Sequence, residues 1–303
     1  MIVRRMMIAL AATATLSGVA PAAGQWAVPP AVMQTAVADS GGGGGASLFD
    51  RQDVYWAAGF ATLAAVAVPL DRSLAGVSQR PALQANRILS SGSTGARLLG
   101  NPGAAVIGGV IYGAGRVTGQ RDVARLGLHT AEAVIIGDLI TGGIKMVAGR
   151  KRPYASPDNP DDFKFMRGFA GDSTRSFPSG HTTSAFAAAA AATAEVGYQW
   201  PAGKAVVGPI LFGAAGLVGI SRMYNNAHWA SDVVVGAAIG TFVGWKVTRF
   251  SHDHPNNEVD NLFLGRERGG SGDSQPQANR GRANRSRTLL GSGIPITFSI
   301  PAP

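Results

Sequence analysis

Pro178-Ser179-Gly180-His181-Thr182-Thr183-Ser184-Ala185-Phe186, followed by the alanine run Ala187 to Ala192, is the stretch that decides how this chain folds. Alanine is the strongest helix former, so the run predicts a helix that starts just after the proline. Gly180, which lacks a Cβ, lets a ligand approach the backbone at that start. The first N–H groups of a helix have no partner within it, and the helix dipole favours negative charge there. The stretch therefore reads as a ready anion site, with the Ser179 hydroxyl as a further donor and His181 beside it.

Two other clusters supply what an anion site of this kind lacks. Upstream stands Lys145, followed after six residues by Arg152-Pro153; downstream stands Ser221-Arg222, then His228, then Asp232. Arg152 and Arg222 each offer a planar fork to two phosphate oxygens, and Lys145 adds a point charge. These fixed positive charges can stabilise phosphoryl transfer without a metal ion, so none is assigned. His228 and Asp232 are four residues apart, a spacing that places both on one helical face. The carboxylate can hold one ring nitrogen as a donor and leave the other free to attack phosphorus. His181, at the phosphate end of another helix, suits protonation of the leaving oxygen and later activation of water.

Taken together, the three clusters resemble the tripartite signature of the type 2 phosphatidic acid phosphatase superfamily: K-x6-RP, PSGH and SR-x5-H-x3-D. Every signature position is filled, within roughly Leu126 to Trp245. The resemblance implies an all-α fold and phosphoester hydrolysis without a metal cofactor. It implies Lys145, Arg152, Ser179, Gly180 and Arg222 as phosphate ligands. It makes His228 the nucleophile, Asp232 its orienter and His181 the acid/base. Acid phosphatases, lipid phosphatases and vanadium haloperoxidases share this signature, so vanadate is expected as an inhibitor or, in the haloperoxidase reading, a cofactor.

Working outward, six apolar stretches have helical length: Val54–Leu70, Pro102–Gly115, Leu126–Met146, Thr183–Val196, Ala205–Ile220 and Val233–Val247. They predict a six-helix bundle with the active site at one end. The first cluster closes the third stretch, the second opens the fourth, and the third lies between the fifth and sixth. In an up-and-down bundle all three meet at the same end. Residues 51–251 form the expected helical phosphatase domain. Residues 1–22 read as a signal peptide, with Arg4-Arg5, an apolar run and Ala20-Pro21-Ala22. Residues 23–50, with Gly41 to Gly45, read as a flexible linker. Residues 252–303 read as a polar, mostly disordered tail with a terminal strand near Ile294 to Ile300.

Composition narrows the partners. The absence of cysteine excludes a disulfide framework and thiolate metal sites. The formal net charge of +9 is concentrated in the tail and the proposed site, with no aromatic side chains interleaved, which argues against nucleic acid. An anionic membrane surface is a better match. His252-Asp253-His254 reads as solvated tail rather than a metal site, and Glu132 and Asp138 as satisfied packing partners within an apolar helix. The loop acids Asp158, Asp161 and Asp162 read as solvated. The glycine pairs Gly109/Gly113, Gly236/Gly240 and Gly240/Gly244 predict close helix packing.

The apolar stretches leave two readings of the substrate open. A lipid phosphate suits the apolar bundle and basic tail; a soluble phosphate ester suits the export signal and the shorter stretches. Topology is in tension as well. After an exported N-terminus, six spans would leave Arg150-Lys151-Arg152 and the site on the cytoplasmic side. Membrane members of the resembled family face their sites outward. The expectation is an exported, periplasmic site, soluble or membrane-associated; oligomeric state is not legible.

Overall fold

The alanine run forms the helix it predicts, and the other elements arrange around it. The computed structural model describes residues 49–265. The signal segment, nearly all of the glycine linker and the tail beyond residue 265, including the terminal strand, lie outside the described residues. Ten α-helices are described: α1 (Arg51–Ala67), α2 (Asp71–Ser78), α3 (Pro81–Gln84), α4 (Arg87–Leu98), α5 (Gly103–Val117), α6 (Arg121–Ala148), α7 (Gly180–Gln199), α8 (Pro201–Tyr224), α9 (Ala230–Asp253) and α10 (Glu258–Phe263). No strand occurs among the described residues. The six expected segments are α1 and α5 to α9. The helices α2 to α4 and α10 have no long apolar run and were not anticipated.

Helix α7 is the axis of the bundle, with α6, α8 and α9 packed around it and α5 packed on α6. Its core contacts are made of small side chains: Ala133 and Val134 of α6 meet Ala187 and Ala191 of α7. Glycine lets α9 come closest. A Cβ on Gly240 would stand 2.3 Å from the Thr183 carbonyl oxygen, and one on Gly244 would stand 2.4 Å from that of Ala187. Those two pairs pack as expected, but Gly109 and Gly113 face open space. The α5–α6 approach instead uses Gly108, Gly115 and Gly127. The period of four holds on α9 and not on α5, where the contacting glycines Gly108 and Gly115 are seven positions apart.

Large apolar side chains lie on the outside. Leu139 is 71% exposed, Leu217 61% and Val66 58%, while the fully buried positions are mostly Ala, Gly, Ser and Thr. Water would drive the larger side chains inward. Small residues between helices and large apolar ones outside are the pattern of helices packed in lipid. Three helical segments are long and apolar enough to cross a membrane: Arg51–Ser78, Pro201–Tyr224 and Ala230–Asp253. Helices α4 and α5, bent by 55° at their junction, make a fourth if taken as one broken span. Helices α6 and α7 are not among them, in keeping with the weak apolarity of Thr183–Val196.

The folded body also runs past residue 251. Helix α9 continues to Asp253, and α10 then packs back so that Leu264 is buried beside Ala124 and Leu128. The cause is local. Asn257 caps α10 through the Asp260 N–H at 2.9 Å, and the Tyr112 hydroxyl donates to the Phe263 carbonyl at 2.8 Å.

Candidate active site

Helix α6 stops at Gly149, whose φ of +54° is left-handed; a Cβ there would lie 2.2 Å from the Lys164 carbonyl oxygen. This turn sends Arg150 and Arg152 back over the end of the bundle. The segment between α6 and α7 is then tied down by its backbone: Ser176 N–H donates to the Arg150 carbonyl at 3.0 Å, and Arg152 N–H to that of Ser173 at 2.9 Å. The Ser179 N–H donates to the Asp232 carbonyl at 3.0 Å, joining the second cluster to the third. The three clusters therefore share one end of the bundle, as their order along the chain requires.

His228 sits in the short connection between α8 and α9, 3% exposed. Its Nε2 faces Arg152 Nη1 at 3.4 Å, and its Nδ1 is 3.5 Å from Asp232 Oδ2. The second distance is an ion-pair spacing rather than a formed hydrogen bond, and Nδ1 has no closer partner. Catalytic hydrogen bonds in unliganded sites are often long and tighten around substrate. Asp232 itself is firmly held. Its Oδ2 accepts from Ser176 Oγ at 2.5 Å and from the Trp229 N–H at 2.9 Å; Oδ1 accepts from Arg150 Nη1 at 2.5 Å.

The positive groups differ in what they already hold. Arg152 donates to the Asp172 carboxylate at 2.8 Å and to the Ala227 carbonyl at 3.1 Å. The Lys145 ammonium is bonded to the carbonyls of Arg175, Ser176 and Pro178, so it braces the approach to α7. Arg222 is buried, and its Nε and Nη1 have no protein partner. Two unsatisfied donors on a buried guanidinium are costly unless an anion or water receives them. Ser179 is fully buried and precedes the first turn of α7; its side chain accepts from Thr182 Oγ1 at 2.9 Å and does not cap the helix. The α7 N-terminus is thereby left without a side-chain cap. Gly180 has only the Lys145 and Thr141 side chains near its Cβ position, so no backbone crowds it.

Both histidines are held neutral. Burial depresses the pKa of His228 to about 3, opposed by Asp232 and reinforced by Lys145 and Arg152. Burial depresses that of His181 to about 4, helped by Arg222, Arg97, Lys145 and Arg152. That the same cations act on both rings is a second sign of a single site. A neutral His228 has a free lone pair for attack. A neutral His181 needs an arriving anion to offset the surrounding cations before it can serve as an acid.

Sequence reasoning missed the residues behind the signature. Arg150, read only as part of a basic run, is 1% exposed and spans two buried carboxylates, Asp232 and Asp71, the latter at 2.7 Å. Its guanidinium lies between the rings of Phe163 and Trp229, 4.8 and 5.6 Å from their centroids. Asp71 in turn accepts from Ser231 N–H at 2.8 Å and Ser231 Oγ at 2.6 Å. A bare Arg-x-Arg-Pro spacing hints at Arg150, but nothing local marks Asp71, whose partners lie 79 and 160 residues away. Among the acids read as packing or solvated, Asp138 is satisfied by Ser184 and Asn101. Glu132 is not, for its buried Oε1 has no partner. Asp162 pairs with Lys151 and Arg167 and so belongs to the loop that covers the site.

A known family resembles the part of the chain that carries these clusters. Residues 126–255 match the model of the PAP2 superfamily. Over 74 residues it is 47% identical to a lipid A 1-phosphatase of Porphyromonas gingivalis, which is 24% of this chain and 16% of that protein. Over 147 residues it is 32% identical to lipid phosphate phosphatase 1 of Arabidopsis thaliana, 42% of this chain and 44% of that one. The chain thus spans less than half the length of these curated relatives. A crystal structure of a transmembrane PAP2-type phosphatidylglycerolphosphate phosphatase from Bacillus subtilis aligns with a TM-score of 0.46 and 24% identity, covering 66% of this chain and 95% of that one.

Proposed function

We propose that this chain is a membrane-associated phosphoric ester hydrolase that releases phosphate from a lipid-linked phosphomonoester through a phosphohistidine at His228. The observation that carries the reading is the buried Arg222 with two unpartnered donors, beside Arg152, a neutral His228 and the α7 N-terminus. In the first step His228 Nε2 attacks phosphorus, and the P–O bond to the leaving group breaks. Asp232 stabilises the imidazolium, and His181 protonates the departing alkoxide. In the second step His181 takes a proton from water, the oxygen attacks phosphorus, and the P–N bond breaks. Arg152, Arg222, Ser179 and the N–H groups around Gly180 hold the equatorial oxygens. No metal takes part in either step.

The lipid reading is favoured by the apolar outer surface and by a groove that begins near the site. Leu99, Ile107, Ile111, Ala185, Ile210 and Leu211 line a cavity between α5, α7 and α8. Leu99 precedes Gly100, whose Cβ position lies 2.9 Å from His181 Cβ. A chain attached to the leaving oxygen can pass from His181 into this groove. The soluble phosphatase reading gives the groove no role. A site on the outer side of the membrane, reached after export of the N-terminal segment, is part of the proposal; labelling of a cysteine placed at Tyr154 from outside intact cells tests it, and protection until the membrane is opened contradicts it.

Leu99→Trp, at a half-exposed position, should narrow the groove without disturbing the phosphate ligands. It should lower kcat/KM for a long-chain lipid phosphate in micelles by roughly tenfold or more. Turnover of a small aryl phosphate should stay within about twofold. Equal losses on both substrates would reject the groove as the lipid path.

The depressed histidine pKa values set the pH profile. In the free enzyme His228 protonates only in strong acid, so kcat/KM should hold down to low pH and fail as His228 takes up its proton. Bound phosphate raises the pKa of His181, so kcat should fall on the alkaline side as the acid loses its proton. His181→Ala should remove that alkaline limb. A limb that persists in His181→Ala assigns it to another group.

A further inference from the structure

We propose a divalent metal site at the opposite end of the bundle, formed by His129 of α6, Glu195 of α7 and His252 of α9, which would take a first-row cation such as zinc. His129 and Lys145 are on the same helix, 16 positions apart by their numbers, which sets the cluster about 24 Å from the phosphate site. His129 and Glu195 are fully buried, and His252 is partly so. Their nearest ligand atoms, His129 Nδ1, Glu195 Oε1 and His252 Nε2, all lie within 4.8 Å of one another.

Each ring nitrogen of His129 faces a carboxylate. His129 Nε2 is 3.0 Å from Asp260 Oδ1 of α10, which can receive an N–H on Nε2 and leave Nδ1 to face the cluster. Nδ1 then presents a lone pair to Glu195 Oε1 at 2.5 Å, and the same oxygen faces His252 Nε2 at 2.9 Å. At that distance a proton or a metal ion must stand between the nitrogen and the carboxylate. A carboxylate behind a histidine, turning its other nitrogen towards a shared point, is the usual outer support of a metal-bound imidazole. Nitrogen and oxygen ligands from two histidines and one glutamate suit zinc, with a coordination position left for water. Around such an ion, neighbouring ligand atoms stand about 3.3 Å apart, so the His129–Glu195 and His252–Glu195 contacts need to open by less than about 1 Å. The His252 ring is held in line by stacking on Tyr198, with centroids 3.7 Å apart and planes at 11°.

Two further features favour a metal over a second proton on His129. Glu132 lies one turn from His129, and its buried Oε1 has no protein partner. The three ligands also come from three helices, and Asp260 brings in α10. An ion here would fasten the end of α9 and the returning α10 to the bundle. The His252-Asp253-His254 motif thus divides: His252 turns inward, while His254 stays outside and stacks on Phe250 with centroids 4.4 Å apart.

The test uses the untagged full-length protein in detergent, stripped with a chelator and then given Zn²⁺ alone. The expected result is one equivalent of zinc retained after desalting and a thermal midpoint raised by several degrees. Co²⁺ in its place should give a ligand-field absorption band. Glu195→Gln and His252→Ala should each lose the bound metal and the zinc-dependent shift, while His181→Ala keeps both. His252 is partly exposed at the end of its helix, so its variant should fold even if that of Glu195 does not. Wild-type protein that retains no zinc and shows an unchanged midpoint would overturn the proposal and leave a proton-bridged clip. Retention of a full equivalent by both variants would also overturn it, because the metal would then lie elsewhere.

Discussion

Replacing His228 with alanine should reduce turnover by at least roughly 10⁴-fold while leaving the helical content and thermal midpoint near those of the parent. The magnitude follows from the role. Among the described residues no other ring nitrogen contacts Arg152, and Asp232 cannot substitute because Arg150, Ser176 and Trp229 already occupy it. His228 has one weak contact to Arg152 and a long one to Asp232, so its removal costs the fold little. Activity against a soluble aryl phosphate and circular dichroism on the same preparation check both halves. A folded variant with more than a few per cent of parental activity assigns the nucleophile elsewhere.

Arg150→Met should have the largest effect on stability. The side chain is enclosed, and its removal leaves Asp71 and Asp232 as buried carboxylates without their shared cation. Breaking such a pair costs about 3–5 kcal/mol, enough to lower the thermal midpoint by roughly 10 °C. Activity should fall as well, because Asp232 loses the donor that holds Oδ1 and so helps to aim Oδ2 at His228. Arg150→Lys should not rescue either property: a single ammonium cannot reach both carboxylates and Ser231 in the geometry of the guanidinium. Differential scanning fluorimetry with a kcat measurement decides it. A midpoint within about 2 °C of the parent would show that the Asp71–Arg150–Asp232 ladder is not a stabilising unit.

The meeting of the three clusters at one end was legible in the sequence because phosphoryl chemistry demands particular side chains at short spacings, and a bundle with ordered clusters can bring them together in few ways. The helices were legible where an apolar run or the alanine tract marked them. Helix α4 was not, since its residues Ile88 to Leu98 mix serine, glycine and arginine with leucine and gain their place from contact with α8. Asp71 and Asp260 were not legible for the same reason, as each acts on a partner far along the chain. The end of the folded body was misplaced because residues 252–264 are polar in composition, and their order comes from hydrogen bonds to distant partners together with the burial of Leu264. The lipid-facing character was only half legible. Periodicity shows that a helix has an apolar face, but the structure shows that face turned outward, with alanine and glycine inside.

The central claim is a covalent phosphohistidine at His228, and trapping it tests the claim most directly. The purified enzyme is mixed with a substrate labelled in its phosphoryl group, quenched in alkali within the turnover time, and digested for peptide mapping; a phosphorus–nitrogen bond survives alkali and is lost in acid. The account predicts acid-labile label on the peptide that contains His228, greater accumulation in His181→Ala when the leaving group needs no proton, and none in His228→Ala. Turnover at the parental rate with no label on His228, or with label on another residue, would contradict it.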